Sequence, residues 1–328
     1  MHKPITKDDL MNLARKWQES RVFLAACELD IFSHLSEFKS SGELAEELKV
    51  KERYLDRLLN TLVVLGLLEK RDGRFKNTDA ANTYLDKKSR DYLLGLTHQC
   101  HVFYGWSLLT DVVKNGIPSR ELGFGKPIEN WLEPFITAMQ QYASERAPKL
   151  IDLIDFSNCK KFLDLGGGSG ANSVEVARRY PDIDVFIFDL TDVIPITKKF
   201  VSKAGDFKNI HYIEGDYLKD SIGEGYDVIL LSNIIHAHGK DEVIKIFKRC
   251  NNALKDKGRI IIHDFLVNED RVSPPWSVFF AINMLVHTKN GDTYTEREIR
   301  EFFKEANFSF VSNTPTGFNS DVIVGVKN

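Results

Sequence analysis

The sequence has few cysteines and no long apolar run. Its cysteines show no C-x-x-C spacing, which argues against a zinc knuckle, a redox pair or a disulfide framework, so no metal site is expected; they are Cys27, Cys100, Cys159 and Cys250. No apolar run approaches the roughly 18 residues that cross a bilayer, and the N-terminus lacks the apolar core of a signal peptide. We therefore expect a cytoplasmic protein with reduced cysteines and no membrane contact.

An excess of positive charge is also missing. The 44 Lys and Arg residues against 47 Asp and Glu residues leave a formal net charge of -3, which gives no general attraction to polyanions. Nucleic acid is therefore not an expected partner. The 328 residues are 43% hydrophobic and 28% charged, the composition of a globular protein long enough for two domains.

The first helical segment predicts a surface that needs a partner. Residues from 6 to about 35 follow helical periodicity. Apolar side chains share one face of this helix at Leu10, Leu13, Ala14 and Trp17. Because a small helical domain offers little to cover such a stripe, we expect the chain to be a homodimer.

Two further helices and a hairpin follow in the order of a winged helix. We expect helices at 40–48 and 51–68, and a hairpin over 69–84 with its turn at Asp72-Gly73. Winged helices often bind DNA, but the second of these helices carries only one basic pair among leucines and valines. A dimer-forming role is therefore favoured over that of a ligand-sensing regulator.

The pattern of helical segments and β-rich runs divides the chain into three parts. We predict a winged-helix dimerisation domain at 1–100, a helical linker or substrate wall at 101–156 that is broken by a loop at 116–127, and an α/β catalytic domain at 157–328. In the last part, β-rich runs alternate with helical segments; they lie at 162–165, 185–188, 210–213, 228–231, 260–265 and 322–326. This alternation predicts a mostly parallel sheet with helices on both faces.

A glycine-rich loop directly follows the first of these strands. The run FLDL leads into Gly166-Gly167-Gly168-Ser169-Gly170, and a helix is expected next. Glycines remove the Cβ atoms that would keep a ligand away from the backbone, and the amides at the helix start point into the crevice. With Ala171 at its third position, the loop also satisfies the dinucleotide fingerprint, so an NAD-linked oxidoreductase is an alternative.

Acidic residues accompany three successive strands. Asp164 lies two residues before the glycines, where it would repel a pyrophosphate but suits the ammonium of a methionine moiety. Asp189, after the second strand, can accept hydrogen bonds from ribose hydroxyls of either cofactor. Asp216 and Tyr217, after the third strand, offer a carboxylate to an adenine amino group and a ring to its face. Of these residues, Asp164 is the one that favours S-adenosylmethionine over NAD.

Three segments then resemble a known family, the class I O-methyltransferases of the plant caffeate and bacterial hydroxyneurosporene type. The segments are 162–189, Glu214-Gly215-Asp216 and LSNIIHAHGKDE at 231–242. The resemblance covers nearly the whole chain and implies a Rossmann-like sheet of seven strands, S-adenosyl-L-methionine as cofactor, and a homodimer formed through the N-terminal domain. The predicted donor site comprises Asp164, Gly166, Gly168, Gly170, Asp189, Leu190, Asp216, Tyr217, Ser232 and Asn233.

The resemblance also implies a histidine as catalytic base. The family's H-D-W-S-D-E stretch corresponds to HAHGKDE here, so His236 is expected to take a proton from an acceptor hydroxyl, and His238 to line the entrance. Asp264 aligns with the first of two acids that flank the base and is expected to orient the imidazole. Thr293 stands where the second acid is expected, and the neighbouring Asp292 is its possible substitute. This departure leaves C-methylation on the same fold as an alternative.

The acceptor pocket is predicted from aromatic and polar side chains of the middle and late helices. A small aromatic or conjugated acceptor suits such walls, although periodic aromatics on helices are equally often plain core. The predicted pocket residues are Tyr104, Trp106, Met139, Phe280, Asn283, Met284 and His287.

Overall fold

A computed structural model describes residues 4–122 and 131–328. The chain forms two compact units, Met1–Val102 and Phe103–Asn328, which are described separately below. The predicted division into winged-helix, linker and catalytic domains assigns functions to its parts and stays a prediction. The second half of the predicted loop at 116–127 lies outside the described residues. Among the residues described, no helix has the length and apolar character needed to cross a membrane.

The N-terminal unit is mainly helical and contains a small antiparallel sheet of order β1-β3-β2. Its elements are α1 (Lys7–Arg15), α2 (Trp17–Glu28), β1 (Lys39–Ser40), α3 (Ser41–Leu48), α4 (Glu52–Val64), β2 (Leu68–Arg71), β3 (Arg74–Asn77) and α5 (Asp79–Tyr84). Helix α6 (Leu96–Ser107) contains the boundary between the units. Fully buried Leu44, Leu59, Leu62 and Phe75 form the centre of this unit's core.

Three expectations for this unit are wrong in detail. The helix predicted over residues 51–68 ends at Val64, and Leu68 already belongs to β2. The helix predicted over residues 6–35 is divided into α1, α2 and a single 3₁₀ turn at Ile31–His34, because Asp30 adopts a left-handed φ of 56° that ends α2. The hairpin predicted over residues 69–84 ends at Asn77, and the Thr78 side chain accepts a hydrogen bond from the Ala81 N–H to cap α5. Periodicity alone detects none of these element ends.

The second unit is a seven-stranded sheet covered by helices. Its elements are α7 (Leu109–Asn115), α8 (Leu132–Asp152), β4 (Lys161–Leu165), α9 (Ala171–Arg179), β5 (Asp184–Asp189), α10 (Ile194–Ala204), β6 (Ile210–Glu214), β7 (Tyr226–Ser232), α11 (Lys240–Ala253), β8 (Leu254–Asp264), α12 (Pro275–His287), α13 (Glu296–Glu305), β9 (Phe308–Pro315) and β10 (Asp321–Lys327). The strand order is β6-β5-β4-β7-β8-β10-β9. The first five strands are parallel, and β10 and β9 are antiparallel to their neighbours.

The sheet is buried on both faces, which explains its uninterrupted apolar runs. Phe162 belongs to one core cluster and its neighbour Leu163 to the other, on the opposite face of β4. The six predicted strands are confirmed, and β9 is an additional strand at the sheet edge. Its sequence, FSFVSNTP, has polar residues through most of its second half and therefore lacks the continuous apolar run of a central strand.

Candidate active site

The glycine loop at the end of β4 leaves open space at one position. Gly166, Gly168 and Gly170 all have a left-handed φ, of 74°, 55° and 81°. A Cβ atom at Gly166 would lie 2.3 Å from Cδ1 of Ile234, and one at Gly170 would lie 2.9 Å from Cγ2 of Val201, whereas one at Gly168 would meet no atom within 4 Å. The loop is therefore packed at both ends and open in the middle, as a cradle for a ligand requires.

Asp189 at the end of β5 is held against this opening. Its Oδ2 accepts a hydrogen bond of 2.7 Å from the Gly168 N–H, and its Oδ1 accepts one of 2.8 Å from the Leu190 N–H. Burial raises the pKa of the carboxyl, and these two backbone bonds oppose the shift. The predicted donor residues Gly168, Asp189 and Leu190 are thus in direct contact.

Asp164 lies beneath the loop and is only 1% exposed. Its Oδ2 accepts a hydrogen bond of 2.7 Å from the Ser173 hydroxyl on α9. Burial raises the pKa of Asp164 to about 7, despite that bond. Its structural contact is therefore with the helix after the loop, and its predicted contact with a ligand ammonium stays a prediction.

Asp216 and Tyr217 occupy the turn after β6. Oδ1 of Asp216 accepts the Leu218 N–H at 2.9 Å, and the Lys219 ammonium at 2.8 Å lowers the pKa of the Asp216 carboxyl. The Tyr217 hydroxyl lies 2.7 Å from Nε2 of His238. Two predicted donor residues are thus fixed by neighbours within the turn and by a histidine beyond β7.

Ser232 and Asn233 end β7 and turn the chain toward His236. The Ser232 hydroxyl is 2.8 Å from Nδ1 of His263, whose pKa burial lowers to about 4. Asn233 has a left-handed φ of 58°, and its N–H donates to the His263 carbonyl at 2.8 Å. Both residues are bound to β8, and their predicted role toward the donor stays a prediction.

His236 and Asp264 form a close pair. His236 lies in a 3₁₀ turn, Ile235–Ala237, and its Nδ1 is 2.6 Å from Oδ1 of Asp264. The other carboxylate oxygen accepts the His236 backbone N–H at 3.3 Å, and Oδ1 also accepts the Phe265 N–H at 2.8 Å. The side chains are 12% and 2% exposed, so the pair is largely shielded from water.

Asp292 points away from this pair. Its Oδ1 accepts the Thr293 N–H at 2.7 Å, and its Oδ2 is 3.6 Å from Nη1 of Arg271. Only the backbone N–H of Asp292 meets the base residue, by donating to the His236 carbonyl at 3.0 Å. The Thr293 hydroxyl is buried with no hydrogen-bond partner among the described residues. Asp292 is therefore placed as a partner of Arg271, and Asp264 as the carboxylate at the imidazole.

The predicted acceptor residues on α12 meet helix α6 and the base. The Phe280 ring stands edge-on to the His236 ring with centroids 4.9 Å apart. The Asn283 side chain accepts a hydrogen bond of 2.8 Å from Nε1 of Trp106. His287 packs so closely on Gly105 that a Cβ atom there would come within 2.3 Å of the imidazole.

The remaining acceptor candidates are less closely connected. Met284 is buried on α12, and Tyr104 is 48% exposed. Met139 is half-buried on α8, a helix that packs against α9 and α10. The structure thus brings Trp106 to Asn283 and Phe280 to His236, and it places His287 beside Gly105.

Two contributing residues escaped sequence reasoning. Ser173 holds the Asp164 carboxylate, and Phe265 stacks on the His236 ring with centroids 6.1 Å apart. Phe265 directly follows Asp264, so its position after an acid at a strand end could have indicated it. A serine inside a helix offers no comparable signal.

The site has an open glycine loop after the first parallel strand, an acid at the end of the second, and a histidine after the fourth that pairs with an aspartate at the end of the fifth. This arrangement at the carboxyl ends of the strands fits a class I S-adenosylmethionine-dependent methyltransferase. The known O-methyltransferase domain matches residues 106–309, and the O-methyltransferase dimerisation domain matches residues 11–87. The chain belongs to the O-methyltransferase family. The predicted fold class, cofactor and enzyme class are confirmed, and S-adenosylmethionine is favoured over NAD.

Individual relatives extend over nearly the whole chain. It is 29% identical over 330 residues to the 3-hydroxy-5-methyl-1-naphthoate 3-O-methyltransferase of Streptomyces sahachiroi, covering 97% of this chain and 94% of that protein. The structure of PigF from Serratia with S-adenosylhomocysteine is similar with a TM-score of 0.89 and 25% identity, covering 98% of this chain and 100% of that one. Human N-acetylserotonin methyltransferase with S-adenosylmethionine gives a TM-score of 0.83 and 27% identity, with full coverage of both chains.

Proposed function

We propose that the chain transfers the methyl group of S-adenosylmethionine to a hydroxyl of a small aromatic or conjugated acceptor, with His236 as general base. The observation that carries this proposal is the 2.6 Å contact between His236 and Asp264 at the carboxyl end of the parallel strands. The Ile234 side chain packs over Gly166, and His236 lies only two residues further along the sequence. The same short segment therefore contacts the glycine loop and contains the proposed base. The naphthoate named for one relative supports an aromatic acceptor.

The His–Asp contact determines which nitrogen can act as the base. A carboxylate only accepts hydrogen bonds, so the Asp264 contact places the imidazole proton on Nδ1 and the lone pair on Nε2. An ordinary phenol has a pKa near 10 and is a poor nucleophile at neutral pH. His236 Nε2 takes this proton as the acceptor oxygen attacks, and the charge that forms on the imidazole is stabilised by Asp264.

The donor site is built from residues of three strand ends. The opening at Gly168 leaves room for a ligand against the backbone, and the Asp189 carboxylate beside it can accept hydrogen bonds from ribose hydroxyls. S-adenosylmethionine supplies, when bound, a methyl group on a sulfonium sulfur that keeps the C–S bonding electrons as the new O–C bond forms. The protein's main task is then to align the acceptor oxygen with that carbon.

The acceptor is expected to lie along α12. Phe280 presents an aromatic wall at the His236 imidazole, and Met284 lies one turn further along the same helix. Such an apolar face favours a flat, conjugated acceptor over a sugar or a polar metabolite.

The homodimer is the second part of the proposal. Three apolar side chains of the first two helices are more than half exposed, namely Leu10 at 56%, Leu13 at 63% and Trp17 at 56%. An apolar surface of this kind is costly in water, and the dimerisation-domain match begins within it. With this role for the N-terminal unit, and with a net charge of -3 for the whole chain, we propose that the protein has no nucleic-acid partner.

The base is tested with His236→Ala and a series of phenols that spans several pKa units, using a methyl-labelled donor. Turnover should fall about 10² to 10⁴-fold while donor affinity stays near wild type, and the loss should shrink for more acidic phenols, which need the base less. His211→Ala serves as a control, because His211 is an exposed histidine of β6 paired with Asp184. A small loss that is independent of phenol pKa would remove His236 from the catalytic role.

A further inference from the structure

A chain of three polar side chains crosses from the turn after β6 to α11. The Tyr217 hydroxyl is 2.7 Å from Nε2 of His238, and Nδ1 of the same histidine is 3.3 Å from Oε2 of Glu242. Since the carboxylate only accepts, Nδ1 donates to Glu242 and Nε2 accepts the tyrosine proton. Glu242 also accepts the Gly239 N–H at 3.4 Å, which fixes it to the start of α11.

This series of hydrogen-bonded side chains ends at Tyr217, beside the glycine loop. A Cβ atom at Gly166 would lie 3.6 Å from Cε1 of Tyr217, so the phenol ring lies beside the first glycine of the loop. Burial raises the pKa of Tyr217, which keeps its hydroxyl protonated as a donor, and burial lowers the pKa of His238, which favours the neutral ring as an acceptor. The two rings also meet edge to face with centroids 5.6 Å apart.

The base and this second histidine have different surroundings. His236 contacts Asp264 and the aromatic face of α12, whereas His238 contacts Tyr217 and Glu242 on the side of the glycine loop. The segment between β7 and α11 therefore places His236 on the side of the proposed acceptor and His238 on the side of the proposed donor.

We propose that His238 and Glu242 are positioning residues for the donor: they hold the Tyr217 ring as a wall of the S-adenosylmethionine pocket. This inference rests on the proposed donor site. A tyrosine ring at the end of a turn has two free torsions, and a hydrogen bond to a fixed histidine removes that freedom before the ligand arrives. Loss of this hydrogen bond should therefore lower the affinity for the donor without affecting His236.

The test is a double-mutant cycle in binding of S-adenosylhomocysteine, measured by calorimetry on the full chain. Tyr217→Phe and His238→Phe should each weaken binding about three- to tenfold, because each removes the same hydrogen bond. The double variant should be no weaker than the worse single variant, since the bond can be lost only once. His238→Gln keeps an accepting group and should restore much of the affinity.

A matched control separates positioning from stability. Tyr226→Phe removes the hydrogen bond of 2.8 Å that another buried tyrosine hydroxyl donates to the Ile222 carbonyl. Tyr226 is the first residue of β7 and therefore lies at the opposite end of that strand from the site. It should lower the melting temperature and leave binding of S-adenosylhomocysteine unchanged.

The possible results separate a failure of the positioning role from a failure of the proposed donor site. If the two substitutions weakened binding additively, or lowered only the melting temperature as Tyr226→Phe does, the positioning role would be overturned. If wild type failed to bind S-adenosylhomocysteine, the proposed donor site would fail as well. Binding that Asp189→Ala weakens but Tyr217→Phe and His238→Phe do not would overturn this inference alone.

Discussion

Two aspartates at opposite ends of β5 differ in what surrounds them. Asp189 ends the strand against the Gly168 amide, whereas Asp184 begins it with a side chain that is 66% exposed. Charge-assisted hydrogen bonds from ribose hydroxyls to a carboxylate cannot be replaced by a methyl group. Asp189→Ala should therefore weaken binding of S-adenosylhomocysteine at least about tenfold by calorimetry.

Asp184→Ala is the control for that substitution. It removes the same charge from the same strand, and its ion pair with His211 at 3.4 Å is exposed. Its affinity for S-adenosylhomocysteine should match wild type. Equal losses in the two variants would point to a general charge effect and not to a ligand at Asp189.

Asp164 makes stability depend on pH. Burial raises its pKa to about 7 in the folded chain, so the folded state holds a proton that the unfolded state has released above pH 4. The stability that this proton provides is present at low pH and is lost as pH rises through 7. Between pH 5 and 8 wild type should lose on the order of 2 kcal/mol relative to Asp164→Asn.

Urea unfolding of both proteins at several pH values measures this difference. Asp164→Asn keeps a polar group for the Ser173 hydroxyl and removes the titration. The unfolding free energy of Asp164→Asn minus that of wild type should increase with pH over this window. A difference that stays constant from pH 5 to 8 would show that Asp164 is already ionised at pH 5.

At the scale of elements, the glycine loop is the part whose shape matters most. Gly168 has a φ of 55° and faces open space, so an added methyl group would strain the backbone and would also occupy the space that we propose for the ligand. Gly168→Ala should destabilise the chain by about 1 kcal/mol and should weaken binding of S-adenosylhomocysteine strongly.

Gly73 supplies the matched substitution. It lies in the turn between β2 and β3 with a φ of 76°, and a Cβ atom there would also meet nothing within 4 Å. Gly73→Ala should cost a similar free energy of unfolding and leave ligand affinity intact. If both alanines left affinity unchanged, the opening at Gly168 would not be the ligand's cradle.

At the scale of the whole molecule, the exposed stripe of the first helices should govern assembly. Leu13→Asp with Trp17→Asp places two charges on a surface that we propose is covered by a second copy. By light scattering, the doubly substituted chain should be monomeric or aggregated, whereas we expect wild type to be a dimer. Val311→Asp changes an apolar residue of β9 that is 55% exposed and should stay dimeric. A folded, dimeric Leu13→Asp/Trp17→Asp protein would contradict this prediction.

Much of the fold was predictable because its signals are local. The glycine loop follows its strand directly, and the central parallel strands contain apolar runs because both faces of the sheet are buried there. Breaks that depend on a single backbone angle, such as Asp30 at the end of α2, escaped the periodicity. The edge strand β9 escaped it too, because only one of its sides pairs with the sheet.

The sequence by itself determined the candidates for the chemistry: a glycine loop, an acid at the end of β5, and a histidine after β7 that aligns with the catalytic histidine of the family. Only the tertiary structure decided their partners. Asp264 meets His236 while Asp292 meets Arg271, and His238 meets Tyr217 across 21 positions of the chain. The physical reason is that side-chain contacts at a sheet edge follow strand order and register, which bring together residues that are far apart in the sequence.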